Sequence, residues 1–231
     1  MNQCLLCDQE FIAPIMFHQI FSLTKLSPSQ LCPHCLSKFE KLNKICCPIC
    51  SKNTEEAKIC ADCQLWQEKY QGNLLKNIAL YRYNNYFHDL MVAYKRYGDF
   101  ELHHVLKELC QSDVRKLQAD LYVPIPTSPE HQAQRKFDTV SAIFEGIVPL
   151  TPLLKKKSGS KAQGEKNRQQ RLRNSQSFLI DKNIEIGENV NNLNIILLDD
   201  IYTTGATLYH ARDKLQEGFP NAVIKSFTIC R

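Results

Sequence analysis

Long apolar segments are absent from this chain of 231 residues, and no stretch approaches the roughly 18 uninterrupted apolar residues of a membrane span. The first residues, MNQCLLCDQEF, contain no basic segment followed by an apolar run, so the sequence shows no secretion signal. These two absences exclude a membrane-spanning class and predict a cytoplasmic location. They also weigh against disulfide bonds, because stable disulfides are typical of exported proteins.

Neither charged nor apolar residues dominate the composition. Charged residues make up 23% of the chain and hydrophobic residues 43%, which is typical of a folded, soluble protein. The formal net charge of +5 gives mild support for an anionic partner. The length accommodates one α/β domain of roughly 100 to 200 residues and a smaller unit. We predict a small domain over residues 1–70 and a larger one over residues 71–231.

Eight of the eleven cysteines fall into four CxxC pairs. Two thiols at this spacing reach one metal ion from a tight turn, and four thiolates complete a closed tetrahedral zinc site. The pairs therefore predict two Zn²⁺ ions. Closing a short loop costs less chain entropy, which favours binding of each ion by two pairs that are neighbours in sequence, although an interleaved arrangement also satisfies both ions. A redox CxxC motif and an iron–sulfur cluster are the alternatives. The predicted ligands are Cys4, Cys7, Cys32 and Cys35 for one ion and Cys47, Cys50, Cys60 and Cys63 for the other, which leaves Cys46, Cys110 and Cys230 as packed residues.

The spacing of apolar residues predicts the elements of the larger domain. Apolar residues three and four apart between Leu80 and Leu109 predict amphipathic helices that are interrupted at Gly98. The apolar run over residues 119–125 predicts a buried strand that ends at its prolines and is followed by a helix. The basic segment over residues 155–173 has almost no large apolar residues and predicts an exposed mobile loop.

The last third of the chain predicts a parallel βαβ unit. Residues 193–198 form an uninterrupted apolar strand, a helix starts at Thr204 or Thr207 and runs to about Glu217, and residues 222–229 form the next strand. Uninterrupted apolar strands indicate a sheet that is covered on both faces. The predicted fold class is therefore α/β, with a parallel sheet flanked by helices and a small N-terminal zinc-ribbon domain.

The segment LLDDIYTTGATL, residues 197–208, has the composition of a phosphate-binding loop at the carboxyl end of a strand, where open α/β sheets bind ligands. Backbone N–H groups at a helix N-terminus bind phosphate, threonine hydroxyls add donors, and Gly205 permits a close backbone approach. Asp199 and Asp200 need hydroxyl donors or a metal ion close by, and a ribose diol supplies such donors. The alternative is a strand followed by a capped helix, with both acids solvated.

These residues resemble the type I phosphoribosyltransferase fingerprint, and nearly the whole chain resembles the ComF family within it, of the late-competence and GntX type. The N-terminal CLLCD, with the later CPHC, CPIC and CADC, resembles the double zinc ribbon of that family. YRYNNYFHDLMVAYKRYGD resembles its helical entry segment, with Lys95 at the position of a recurrent lysine. VPIPTSPEHQAQRKFD resembles its pyrophosphate-loop region, and KAQGEKNRQQRLRN its basic flexible loop. The usual RGFNQ of the family is RKFDT here, at residues 135–139.

The resemblance implies the type I phosphoribosyltransferase fold, a Rossmann-like parallel sheet with flanking helices, and a site for phosphoribosyl pyrophosphate (PRPP) with Mg²⁺. The implied residues form three groups, for the ribose and its 5′-phosphate, for the Mg²⁺–pyrophosphate, and for the flexible loop above them. They are Asp199 and Asp200 for the ribose hydroxyls with Thr203, Thr204, Gly205, Ala206 and Thr207 for the 5′-phosphate; Thr127, Ser128 and Arg135 for the pyrophosphate; and Gln163, Arg168 and Arg171 from the flexible loop.

The family also implies a part in natural transformation, with incoming single-stranded DNA and a helicase-like competence partner of the ComFA type. A dense basic stretch is suited to follow a phosphate backbone, and tyrosines stack on bases. The alternatives are a basic loop that serves PRPP alone and tyrosines that belong to the core. The candidate DNA contacts are Lys95, Lys155, Lys156, Lys157 and Lys161, and the candidate stacking residues are Tyr81, Tyr83, Tyr86, Tyr94 and Tyr97.

An active phosphoribosyltransferase of nucleotide salvage or related metabolism is the second function that the resemblance implies. Such an enzyme expels pyrophosphate from C1 of PRPP, and Mg²⁺ with basic residues stabilises the leaving group. No acceptor site is evident in the sequence, and the chain begins Met-Asn, without the N-terminal cysteine that releases ammonia from glutamine. We therefore predict a competence protein that binds PRPP and single-stranded DNA, with turnover not assured.

Overall fold

The computed structural model describes residues 1–13, 29–156, 178–181, 183–184 and 192–231. Its strands are β1 (Asn2–Gln3), β2 (Glu10–Phe11), β3 (Asn77–Tyr81), β4 (Leu121–Pro124), β5 (Leu154–Lys156), β6 (Phe178–Ile180), β7 (Asn194–Ile201) and β8 (Val223–Cys230). Its helices are α1 (Pro33–Leu36), α2 (Ala61–Lys69), α3 (Asn85–Lys95), α4 (Leu102–Val114), α5 (Pro129–Arg135), α6 (Thr139–Phe144) and α7 (Ala206–Gly218). None of the helices within these ranges is long and apolar enough to cross a bilayer.

A four-stranded parallel sheet in the order β3-β8-β7-β4 forms the centre of the fold. In β7 the apolar residues alternate between two cores, because Ile196 and Leu198 face one side of the sheet while Ile195 and Leu197 face the other. This burial on both sides explains why the strand is apolar without interruption. The predicted α/β fold class is confirmed, including the βαβ unit of β7, α7 and β8.

Each face of the sheet is covered by helices and by one group of cysteines. On the first face, α3, α4 and α6 pack with Cys4, Cys32 and Cys35 in one apolar core. On the second face, α7 packs with α2, with the β5-β6 hairpin and with the other cysteine group. Residues 1–70 therefore contribute to both cores of the sheet, and the domain boundary at residue 70 stays a prediction.

Two expectations about local structure are wrong. Leu80 and Tyr81 do not start a helix but end β3, whose buried Asn77 side chain donates to Thr228 Oγ1 (3.1 Å) and accepts from Ser226 Oγ (2.9 Å) on β8. Lys155 does not start a loop, because β5 pairs antiparallel with β6. Burial of Leu154 and Phe178 and an ion pair of 2.7 Å between Lys155 and Asp181 hold that hairpin.

Candidate ligand-binding site and metal centres

The two segments predicted to bind PRPP meet at the carboxyl edge of the sheet. Strands β4 and β7 are neighbours, and beyond their last pair the Ile125 N–H donates to the Leu198 carbonyl at 2.8 Å. The loop with Thr127 and Ser128 therefore lies beside Asp199 and Asp200, which come just before β7 ends at Ile201. Carboxyl ends of parallel strands that meet at one edge form the usual ligand crevice of an α/β sheet.

The turn between β7 and α7 has a backbone shape that requires glycine. Gly205 lies at φ +83° and caps α7, and a Cβ at this position would stand 2.3 Å from Tyr202 Oη. The Ala206 N–H donates to Thr204 Oγ1 at 3.4 Å, while Thr203 is exposed to solvent. The 13-residue helix that follows directs its first N–H groups toward this turn. Residues 199–207 are called the phosphate loop below.

Lys95 lies in this crevice, at the end of α3. Its ammonium is 2.5 Å from Asp200 Oδ2, and the Asp200 side chain is only 3% exposed. Burial lowers the pKa of Lys95, but the carboxylates of Asp200 and Asp199 outweigh that effect, so that the pKa is raised overall. The structure thus brings a predicted DNA contact into the predicted PRPP site, where it neutralises one of two adjacent acids.

The ionised carboxylate of Asp199 is disfavoured by its surroundings in the crevice. Burial and then repulsion from Asp200 raise its pKa from 3.8 to about 7, although Lys95 and Lys156 act in the opposite direction. Its Oδ1 accepts a hydrogen bond of 2.9 Å from the Asp200 N–H. An acid that titrates near neutral pH is a common feature of ligand sites, because a bound cation or donor then stabilises the ionised form.

Replacing Asp199 with asparagine should therefore stabilise the protein above about pH 7. The raised pKa favours folding fully below pH 4, and that contribution is lost as the pH rises from about 4 to about 7. The amide keeps the oxygen that accepts from Asp200, so urea unfolding at pH 8 should show a gain on the order of 2 kcal/mol that shrinks toward pH 5. Asp89→Asn, on an acid that is 78% exposed, is the control. A gain that does not vary with pH would contradict the shift of Asp199.

The loop after β4 is held by a residue that the sequence did not single out. Asp138 accepts from Ser141 N–H at 2.8 Å as the cap of α6, and its other oxygen accepts from Thr127 N–H at 2.7 Å. An acid three residues before the Ser141 N–H signals a helix cap in the sequence, but the contact to Thr127 depends on the fold. Thr127 Oγ1 also bonds Thr139 Oγ1 at 3.0 Å, and Ser128 caps α5.

The segment RKFDT, which stands where the family usually has RGFNQ, contains a residue in the left-handed conformation. Lys136 stands at the position of the family's glycine and adopts φ +69°, the left-handed conformation that favours glycine. Arg135, just before it, donates from Nε to the Lys95 carbonyl at 2.6 Å, and burial lowers the pKa of its guanidinium. Arg135 therefore lies beside Lys95 and Asp200 in the crevice, and its contact with a pyrophosphate stays a prediction.

The remaining candidate DNA contacts are divided by the structure. Lys155 is exposed and paired with Asp181, whereas burial lowers the pKa of Lys156 and Asp199 acts against that effect. The tyrosines also separate, since Tyr83 and Tyr97 are 39% and 81% exposed, while the other three pack in the first core. Some predicted residues lie outside the described ones: Lys157, Lys161, Gln163, Arg168 and Arg171.

The cysteines of the four CxxC pairs gather into two tetrads in sequential order. The four sulfurs of each tetrad lie within 4.8 Å of one another, and no thiol outside these pairs joins them among the described residues. The first tetrad is Cys4, Cys7, Cys32 and Cys35, and the second tetrad is Cys47, Cys50, Cys60 and Cys63. Four converging thiols form a closed donor set of the kind that holds a tetrahedral metal ion, so both tetrads fit a structural metal.

Short helices position one cysteine of each tetrad. Cys32 precedes α1 and accepts from the Cys35 N–H at 3.4 Å, and Pro33 occupies the first helical position, where no N–H is needed. In the second tetrad, Cys60 precedes α2 and its N–H donates to Cys47 Sγ at 3.4 Å. Such N–H···S bonds orient the sulfurs, as outer hydrogen bonds do for metal ligands.

Comparison with known proteins gives two relatives of similar length. The chain is 34% identical over 230 residues to the competence protein ComFC of Streptococcus pneumoniae, covering 99% of this chain and 100% of the relative. It is 31% identical over 235 residues to the competence protein ComFC of Bacillus subtilis, covering 99% of this chain and 94% of the relative. No model of a protein family matches the sequence. Agreement over nearly the full length with two such relatives is enough to assign a family.

Proposed function

The chain belongs to the ComFC family of competence proteins, and from that premise we propose that it binds PRPP and handles incoming single-stranded DNA in natural transformation. The observation that carries the PRPP part is the crevice in which Asp199, Asp200 and Lys95 meet the phosphate loop and the loop after β4. Its two acids, helix N-terminus and cations match the ribose, the phosphate and the pyrophosphate of one ligand. We place this activity in the cytoplasm.

The residues of the crevice divide the recognition of PRPP between them. The carboxylates of Asp199 and Asp200 accept hydrogen bonds from the ribose hydroxyls, while the first N–H groups of α7 and the threonine hydroxyls hold the 5′-phosphate. Thr127, Ser128 and Arg135 face the pyrophosphate. Mg²⁺ binds readily to phosphate oxygens and water with few protein ligands, so it accompanies the ligand without a dedicated cage.

We expect Asp199→Asn combined with Asp200→Asn to weaken PRPP binding about 100-fold, because two charge-assisted hydrogen bonds contribute about 3 kcal/mol together. Titration calorimetry of the full chain with PRPP and Mg²⁺ measures the effect. Asp89→Asn removes the same charge from an exposed site on α3 and should leave the affinity unchanged. An unchanged affinity in the double variant would remove the ribose site from the proposal.

Single-stranded DNA binding is supported by the family and by the cations and exposed aromatic rings around the crevice. Lys155 and the basic segment after it would track the phosphates, while Tyr83 and Tyr97 are the tyrosines whose exposure allows stacking on bases. A helicase-like competence partner of the ComFA type would work on the same strand. Linked binding of PRPP and DNA in calorimetry would join both ligands to one task.

A salt titration tests the DNA part. Affinity for a single strand should fall as salt rises, and Lys155→Gln should reduce the slope of log K against log salt by about 0.7, the value for one phosphate contact to a single strand. Lys116→Gln is a matched control, since Lys116 is also an exposed lysine paired with an aspartate. Affinity that does not respond to salt would exclude backbone tracking.

An active phosphoribosyltransferase is the second candidate function. Lys95, Arg135 and Mg²⁺ beside the ligand would stabilise a departing pyrophosphate, which supplies the donor half of that reaction. Pyrophosphate release from PRPP, measured with a panel of bases and amines, decides between a substrate and a bound ligand. Release that depends on one acceptor and is lost in the Asp199 and Asp200 double variant would establish the enzyme.

A further inference from the structure

The side chain of Arg231, just after β8, joins the second tetrad to the phosphate loop. Its Nε donates to Cys50 Sγ at 3.2 Å, and its Nη1 donates to the Thr203 carbonyl at 2.6 Å and approaches the Tyr202 carbonyl at 3.4 Å. The guanidinium also lies 4.7 Å from the centre of the Tyr202 ring, and Nη2 is 3.5 Å from Asp62. With a side chain only 8% exposed, Arg231 is fixed from three directions.

The backbone of Arg231 is fixed as well. Its N–H donates to the Tyr81 carbonyl at 2.9 Å, and its carbonyl accepts from the Tyr83 N–H at 3.0 Å, which continues the β3–β8 ladder. A planar guanidinium on an immobile backbone holds its donors in one geometry. Any shift of Cys50 is therefore transmitted to the carbonyls of the phosphate loop.

A second contact between the same two regions runs through Trp66. This residue lies on α2, which carries Cys63 of the second tetrad, and its indole N–H donates to the Thr204 carbonyl at 2.8 Å. Its ring also stacks on Tyr209 of α7, with centres 4.2 Å apart. Three consecutive carbonyls of the phosphate loop, from Tyr202 to Thr204, thus accept from Arg231 or Trp66, which are both anchored to the second tetrad.

We propose that the second tetrad, with its metal bound, holds the phosphate loop in the shape that binds PRPP, and that Arg231 is the positioning residue of this link. The inference rests on the proposed PRPP binding. Four thiolates around a divalent cation carry a net negative charge, so Arg231 serves as their counter-ion while its other nitrogen orders the loop. Loss of the metal frees Cys50 to move, so Nε no longer has an acceptor in a fixed position and the loop is released.

The first tetrad provides the contrast. It packs in the core on the opposite face of the sheet, with Phe39 and Phe87, whereas Arg231 contacts Cys50 of the second tetrad and Trp66 lies on α2. Coupling between two sites is reciprocal, so PRPP must also raise the affinity of the second tetrad for its metal and leave that of the first unchanged. A general effect of stability would raise the metal affinity of both tetrads alike.

The test compares the wild-type chain with Arg231→Gln and Arg231→Lys, all loaded with zinc. We expect Arg231→Gln to keep two zinc ions per chain, to bind PRPP about 10 to 30 times more weakly, and to lose the protection of one zinc by PRPP against a coloured chelator. Arg231→Lys keeps the positive charge but loses the planar guanidinium, which donates to Cys50 and to the loop at the same time. We therefore expect zinc to be retained and PRPP binding to be weakened. Wild-type PRPP affinity in the glutamine variant overturns the proposal.

The single tryptophan separates this proposal from the proposed function. Trp66 emission should shift to longer wavelength in zinc-loaded Arg231→Gln, because the loop that covers the indole moves away. If the wild-type chain binds no PRPP, the proposed function fails, and the link between the second tetrad and the loop is then decided by this emission alone. Emission equal to that of the wild type overturns the link; Arg82→Gln, on an exposed arginine after β3, should cause no shift.

Discussion

Gly205→Ala is expected to weaken PRPP binding more than about 1000-fold and to destabilise the fold by about 2–4 kcal/mol. The first cause is the backbone, because φ +83° costs an alanine about 1 kcal/mol. The second cause is a collision, because the new Cβ would lie 2.3 Å from Oη and 2.6 Å from Cζ of the buried Tyr202 ring. That ring is held under Arg231, so the loop has to move instead.

A matched glycine separates these two causes. Gly72 lies at φ +87°, nearly the same conformation, and a Cβ there would meet nothing within 4 Å. Gly72→Ala should therefore cost only the backbone term of about 1 kcal/mol and leave PRPP binding intact. Urea unfolding and titration calorimetry of both variants give the comparison. Equal effects of the two substitutions on stability and on PRPP affinity would contradict the collision with Tyr202.

The parts of the fold that the sequence predicted are those with strong local signals. The apolar run of β7, the glycine before α7 and the next apolar run identified the βαβ unit to within a few residues. Strand β3 was missed because its five residues begin with a polar Asn77 and pair only with a distant strand. Its buried hydrogen bonds to β8 are tertiary contacts, which no local pattern reveals.

The candidate site was predicted in its residues but not in its contacts. Asp199, Asp200 and Gly205 follow one another in an order that the sequence alone reveals. Lys95, in contrast, was expected at a DNA surface and forms an ion pair with Asp200. The ion pair between Lys95 and Asp200 depends on where α3 ends relative to β7, and the packing of the first core sets that position. Arg231 carried no motif at all, since an arginine after a strand is an ordinary surface pattern.

The two cysteine tetrads link the N-terminal segment to both faces of the sheet. The first tetrad shares its core with α3, which ends at Lys95 in the crevice, and the second shares its core with α7, which follows the phosphate loop. The crevice therefore lies at the edge of a sheet whose two cores each contain a tetrad that fits a metal ion. Cysteine pairs near the start of the chain thus pack in the same cores as the elements that carry the candidate site in its last third.

Removing one ligand from either tetrad is expected to destabilise the protein by more than about 3 kcal/mol, since structural zinc contributes folding free energy directly and domains are stable by only about 5–15 kcal/mol. Cys4→Ser and Cys47→Ser should each lower the zinc content from two ions to one. Cys46→Ser is the matched control, because Cys46 adjoins Cys47 but belongs to neither tetrad. Loss of zinc from the control would contradict the assignment of ligands.

Trp66 tells the two losses apart, because it is buried in the second core only. Cys47→Ser should expose the indole, break its bond to the Thr204 carbonyl and weaken PRPP binding at temperatures where the chain is still folded. Cys4→Ser should lower the unfolding temperature with Trp66 emission unchanged before the transition. If both variants shifted the emission equally, the two cores would unfold as one unit and the metals would act only through overall stability.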